Sequence, residues 1–192
     1  MVTYGCTYRC VADLLLVTTE NSILVGKFDG FTWIRCEGKG SFLTSPPLKD
    51  FAEMRIASGE RCLVIDLGAC TGMDSTFMGT LAGLSTRLLA PGGKVQVADA
   101  NERNRRSLED LGLDFLLEID PPSAPWKTSL ETIRLGLSPA TTAGSMGMNE
   151  RARHVLDAHK ELSSTSQENA KKFAGVVSLL EAEVVSKPAP NQ

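Results

Sequence analysis

Nowhere do the 192 residues contain an apolar run approaching the ~20 that a membrane-spanning helix requires. The stretch Val11–Val17 is broken by Asp13, follows a single basic residue and lacks a small-residue cleavage site, so it reads poorly as a secretion signal. The expected compartment is the cytoplasm. Clustered basic charge is missing too. The formal net charge is −3, with 12 Lys and Arg against 16 Asp and Glu in residues 1–120, and 8 against 7 in residues 121–192. Nucleic-acid binders need a basic patch to displace counterions from phosphates, so direct DNA or RNA binding is not expected. Histidine occurs only twice, as His154 and His159. Five residues apart, they would point about 140° away from each other on a helix, which argues against a shared metal ion. The cysteines (Cys6, Cys10, Cys36, Cys62, Cys70) are odd in number and irregular in spacing. They read as reduced thiols, with Cys62 and Cys70 in or near the core, rather than as a zinc site or a disulfide framework.

What is present is 42% hydrophobic residues, enough for one sizeable core and too little for two. Ser22–Phe28 and Thr32–Cys36 have strand patterning, and Asp29-Gly30 between them predicts a hairpin. Gly38–Gly40 interrupts. Ser45 before Pro46 and Pro47 suits an N-cap, and Leu48, Phe51, Ala52, Met54 and Ile56 continue at helical spacing up to Ser58-Gly59. Arg61–Leu67 is a nearly continuous apolar run, as in a strand covered on both faces. Gly68–Gly72 reads as a loop without the Lys-Ser/Thr ending of a phosphate-binding loop. A helix over Met73–Ala90, a strand over Lys94–Ala98, a helix capped by Asn101 and ending at Gly112, and a strand over Phe115–Ile119 follow. This alternation predicts an α/β domain with a mixed sheet, mostly parallel after the opening hairpin.

The flanks read differently. Residues 1–21 form an arm, and residues 121–147, rich in proline and glycine, read as a linker without regular structure. Residues 148–186 carry a stripe at alternating spacings of four and three: Met148, Ala152, Val155, His159, Leu162, Ser166, Asn169, Phe173, Val176 and Leu180. They predict one amphipathic helix that docks on its own domain or on a partner, followed by a tail over 187–192. Trp33 is expected in the sheet core, and Trp126 is expected to dock the tail or a partner. Asp66, at a strand end, is expected to cap a loop or face water. Arg103, Arg105 and Arg106 read mainly as a solvated basic surface.

The informative stretch is Leu63–Gly79, LVIDLGACTGMDSTFMG. A buried strand ends in Asp66, a loop follows, and Asp74-Ser75-Thr76 lies where a helix begins. Ser75 is then at or beside the N-cap. A helix N-terminus carries unpaired N–H groups and about half a positive charge, which favours a phosphate as well as a capping hydroxyl. As a plain cap, Ser75 has no further role; as a phosphoacceptor, it is a switch.

The order of these pieces resembles a family. Ile65-Asp66-Leu67, Met73-Asp74-Ser75-Thr76, Gly79, Leu81 to Leu89, Gly92-Gly93, Val95 and Val97, and Arg105-Arg106-Ser107-Leu108 leading to Leu111-Gly112-Leu113 are similar to the STAS domain, in particular to anti-sigma-factor antagonists (anti-anti-sigma factors). The resemblance spans residues 22–120. It implies a mixed sheet with helices mainly on one face, and a non-enzymatic protein-interaction module in transcriptional signalling. It further implies that Ser75 is phosphorylated by an anti-sigma factor serine kinase, which the unphosphorylated form binds so that a sigma factor is freed. A phosphatase resets the switch. Thr76 would be a fallback acceptor, and Asp74, Ser75, Thr76, Phe77 and Met78 would form the partner surface. The kinase holds the ATP, so no cofactor or metal is implied here. Phe77 stands where the family pattern has glycine, and it either packs on the sheet or alters that surface. Two other classes compete: a STAS-type structural adaptor subunit of a membrane transport complex, and a small-molecule sensor or enzyme, for which no nucleophile–base pair is visible in the sequence.

Overall fold

Asp29-Gly30 turns the chain between strands β1 (Ser22–Phe28) and β2 (Phe31–Gly40), which pair antiparallel with Phe28 opposite Phe31. The computed structural model describes residues 21–140 and 146–186. The predicted arm, with Cys6 and Cys10, and the predicted tail lie outside the described residues apart from Asn21. β2 continues through the glycines that were expected to break it. A register irregularity between Gly38 and Lys39 lets its far end leave its first partners and pair with a further strand.

Helix α1 (Ser45–Ala57) starts one residue earlier than the proposed cap implies: Thr44 holds the N-cap position and Ser45 is the first helical residue, buried. After β3 (Cys62–Asp66) the predicted loop is instead mostly strand, β4 (Cys70–Met73), paired parallel with the end of β2. A run of only four residues, Cys70–Met73, is too short for alternation to signal a strand. Helix α2 (Ser75–Leu89), β5 (Lys94–Ala98), α3 (Glu102–Glu109) and β6 (Leu117–Ile119) follow. A 3-10 turn over Leu113–Phe115 replaces the start of the last predicted strand and leaves Phe115 89% exposed.

The strand order is β6-β5-β3-β2-β1-β7, where β7 is Ser138–Pro139; β2, β3, β5 and β6 are parallel, and β1 runs antiparallel to both of its neighbours, β2 and β7, the mixed sheet that the sequence predicts. Alternate residues face opposite layers. Ile34, Leu63, Ile65, Val95 and Val97 pack with Leu48, Phe77, Leu81, Leu84, Leu88 and Leu108 from the helices. Trp33, Val64 and Ala98 belong to a second buried cluster on the other side.

That second cluster corrects the linker expectation. Residues 121–140 form a 3-10 turn (Pro125–Ser129), helix α4 (Leu130–Leu135) and β7 (Ser138–Pro139), which pairs with β1. Trp126 is buried, edge-on to Trp33 at 5.4 Å, and its Nε1 donates to Gln96 Oε1 at 2.7 Å. It docks this segment on the sheet, not a tail or a partner. Prolines and glycines set the turns of such a strap, while one indole and Ile133 supply burial that composition alone does not reveal.

The expected single terminal helix is two: α5 (Met148–Thr165) and α6 (Gln167–Ser186). Ser166 between them is extended (φ −157°, ψ 160°), and its Oγ accepts from Asn169 N at 3.0 Å, an N-cap that restarts the helix. The chain doubles back into a hairpin, tied by the Lys160–Glu181 ion pair. His159, Leu162, Asn169 and Phe173 of the predicted stripe are buried, whereas Met148 and Val176 are exposed. Leu162 and Phe173 join the main core, and Asn169 Nδ2 donates to the Leu111 carbonyl at 2.8 Å.

Candidate functional site

β4 delivers the chain to Asp74, whose own N–H donates to the Gly40 carbonyl at 2.9 Å. Asp74, with extended backbone, is the N-cap of α2: Oδ1 accepts from Phe77 N at 2.9 Å, and Oδ2 accepts from Phe42 N, also at 2.9 Å. One carboxylate therefore closes the helix start and fastens the loop between β2 and α1 to it. Ser75 is the first residue of the helix, one position inside the cap, and is half-buried. The helix begins at Ser75, two residues later than the predicted start at Met73, which ends β4, and the capping group is the aspartate.

Of the predicted partner surface, only Asp74 and Ser75 reach the outside. Thr76, Phe77 and Met78 are buried. Phe77 lies against Gly40, where a Cβ would sit 2.9 Å from the ring, so the absence of a side chain on β2 makes room for the bulky residue inside. Its effect is on the core and not on the exposed surface. Phe42 and Leu43, 43% and 58% exposed, stand beside Asp74 instead. The sequence offers no periodic signal for them, since they sit in a short loop and meet Asp74 across 32 residues.

Both histidines project from α5 onto the domain, each onto a serine at the start of a helix. His159 Nε2 lies 2.9 Å from Ser75 Oγ, and His154 Nε2 lies 2.8 Å from Ser45 Oγ. His159 Nδ1 is 2.8 Å from the Val155 carbonyl. A carbonyl only accepts, so Nδ1 carries hydrogen, and in the neutral ring Nε2 accepts from the Ser75 hydroxyl. A hydroxyl–imidazole pair is thus assembled from residues 84 apart. Their five-residue offset excludes a shared ligand but not two separate serines. Burial pushes the His154 imidazole below its ordinary value, Lys49 adds to this, and Asp157, Asp50 and Asp74 oppose it. A cleft of about 350 Å³ runs beside this contact, lined among others by Lys49, Glu53, Gly79, Gly83, Arg87 and His154.

Asp66 faces neither water nor an open site. It is fully buried, accepting from Gly68 N (2.9 Å), Arg35 (2.7 Å), Arg134 (2.9 Å to each oxygen) and Trp33 Nε1 (3.3 Å). Burial alone would raise its carboxyl, but the bonds from Arg134, Gly68 and Arg35 hold it below the usual carboxylate range. Arg134, from α4, also reaches Asp99 at 2.7 Å. Of the arginine cluster, Arg105 pairs with Asp120 at 2.6 Å and Arg106 with Glu102 at 3.1 Å.

The STAS domain matches residues 22–125, just over half of the chain. The chain belongs to the STAS domain family. Its STAS domain is similar to an anti-sigma factor antagonist from Mycobacterium paratuberculosis, at 25% identity and a TM-score of 0.50 over 62% of this chain and 99% of that one. It is also similar to SpoIIAA in its unphosphorylated form, at 15% identity and a TM-score of 0.47 over 59% and 98% of the two chains. The phosphorylated form of the Bacillus cell-fate determinant SpoIIAA gives 16% and 0.47 over 59% and 100%. No curated protein matches the chain by sequence. Among the described residues, no helix beside or within the STAS domain is long and apolar enough to cross a membrane.

Proposed function

We propose that this STAS protein is an anti-sigma factor antagonist whose contact with an anti-sigma factor serine kinase is set by phosphate on Ser75. The observation that carries the reading is the placement of Ser75 as first residue of α2, with Asp74 as the cap. In the transfer the bond from the γ-phosphorus of ATP to ADP breaks, a bond from that phosphorus to Ser75 Oγ forms, and the hydroxyl proton passes to a base of the kinase. Hydrolysis by a phosphatase restores the hydroxyl. The phosphate adds roughly −1.5 to −2 charge at the positive end of α2, beside the Asp74 carboxylate. In the unmodified state Asp74, Ser75, Phe42 and Leu43 offer a small, partly apolar docking surface. Once charged, that surface must be desolvated at a cost and repels an acidic partner. Thr76 is buried, which favours Ser75 as acceptor. The Mycobacterium paratuberculosis relative, named an anti-sigma factor antagonist, supports the partner class. The reading needs no cofactor, and it makes the chain a cytoplasmic binding module that frees a sigma factor rather than a catalyst.

Incubation with an anti-sigma factor serine kinase and ATP, followed by peptide mass mapping, is expected to place one phosphate on Ser75 and none on a Ser75→Ala variant. Undiminished labelling of Ser75→Ala refutes the assignment.

A further inference from the structure

We infer that the α5–α6 hairpin is a built-in cover that competes with the partner for the start of α2, so that the switch must be opened before it can be read or written. This rests on the reading of Ser75 as the acceptor. Three observations carry it. The Ser75 hydroxyl is not presented freely: it is half-buried and engaged by His159 of α5. A kinase must bring that oxygen into line with its nucleotide, and α5 with its imidazole at 2.9 Å stands on one side of the hydroxyl's approach.

The face of α2 that receives α5 is shaped for a helix. Gly79 and Gly83 lie one turn apart, and a Cβ on Gly79 would run into the Ala158 carbonyl and backbone of α5. On Gly83 it would come 3.1 Å from Glu161 Cγ. The two glycines bring the helix backbones together, and the same two residues line the neighbouring cleft.

Three polar ties of the hairpin to the domain are neutral: Ser45–His154, Ser75–His159 and Asn169 to the Leu111 carbonyl. Each of these groups can exchange its partner for water without leaving a buried charge behind. The apolar part of the contact, with Leu162 and Phe173 joined to the main core, holds the cover closed until a partner offers a better match. A partner that binds only the open form then sees an affinity reduced by the open fraction.

Two variants test this in the full chain. Gly79→Ala adds a methyl where α5 sits while favouring α2 itself, since alanine is the better helix former. Gly83→Cys with Glu161→Cys places a disulfide across the two helices. In hydrogen exchange, the wild-type amides of residues 148–186 are expected to exchange at least tenfold faster than those of β3 and β5. Gly79→Ala should widen the gap at least another tenfold without changing β3 and β5. Exchange of the hairpin only together with the sheet overturns the cover. With an anti-sigma factor serine kinase and ATP, the oxidised disulfide variant should be phosphorylated at Ser75 at least tenfold more slowly than after reduction, and Gly79→Ala faster than wild type. Equal rates for the oxidised and reduced forms overturn the cover and leave the acceptor assignment standing. No label on Ser75 in any form removes that assignment, and the inference that depends on it, even if hydrogen exchange shows that the hairpin opens. Should Gly79→Ala fail to fold, the oxidised and reduced disulfide forms carry both measurements.

Discussion

Residues 121–140 and residues 148–186 both look like additions to the domain in the sequence, yet the molecule fastens them by different chemistry. The first segment is pinned by an indole buried against Trp33 and by Arg134, which reaches under the sheet to the buried Asp66. The contacts that hold the second include apolar packing, a close helix crossing and three neutral hydrogen bonds. Stripping one partner from a buried ion pair strands a charge and costs about 3–5 kcal/mol, whereas a neutral hydrogen bond contributes only about 0.5–1.5 kcal/mol net. A strap fastened in the first way is a permanent part of the fold. A strap fastened in the second way can be lifted at moderate cost, which is the property a regulatory element needs.

The contrast breaks most readily at Trp126. Trp126→Ala removes a buried side chain from the second core and the indole donor to Gln96, which keeps only the weak Cys62 thiol, so a loss of about 3–5 kcal/mol is expected in urea denaturation. A loss under 1 kcal/mol would mean that residues 125–135 are no better fastened than the hairpin. Arg134→Met should come next. Arg35 still pairs with Asp66, so the expected loss is about 2–3 kcal/mol, below the full penalty for an unpaired buried carboxylate. The smallest effect belongs to acidification. The His154 imidazole titrates below its ordinary value of about 6.5 in the folded chain, so the unfolded chain binds that proton more readily. Its contribution to stability is complete above about pH 6.5 and is lost as pH falls through the lowered folded value. Denaturation at neutral and at mildly acidic pH should show this loss in the wild type, and His154→Asn should flatten it. An unchanged pH dependence in that variant would place the titrating group elsewhere.

Much of the sheet was legible in the sequence because its signals are local. The Asp29-Gly30 hairpin, the apolar run ending at Asp66, the strand over Lys94–Ala98 and the Asn101 cap each depend on neighbours within a few residues. The short strand over Cys70–Met73 was not legible, since its pairing with Gly38–Gly40 is decided by a bulge in another strand. The break at Ser166 was overridden by a stripe that runs on at nearly regular spacing, although a serine followed three residues later by a polar side chain fits a helix start. At the candidate site the helix start and its polar residues could be placed. That Phe77 turns inward onto Gly40, and that Phe42 lies at Asp74, depends on approaches between distant elements.

By itself the sequence determined the alternation of strand and helix, the family and the serine at the mouth of α2, because hydrophobic period, turn chemistry and capping act over a handful of residues. Only the tertiary structure decided that this serine meets His159, that Asp66 is locked between Arg35 and Arg134, and that a proline-rich stretch is part of the core. These contacts join residues from 31 to 93 positions apart. Side-chain chemistry names the possible partners, but chain reversal and packing choose among them.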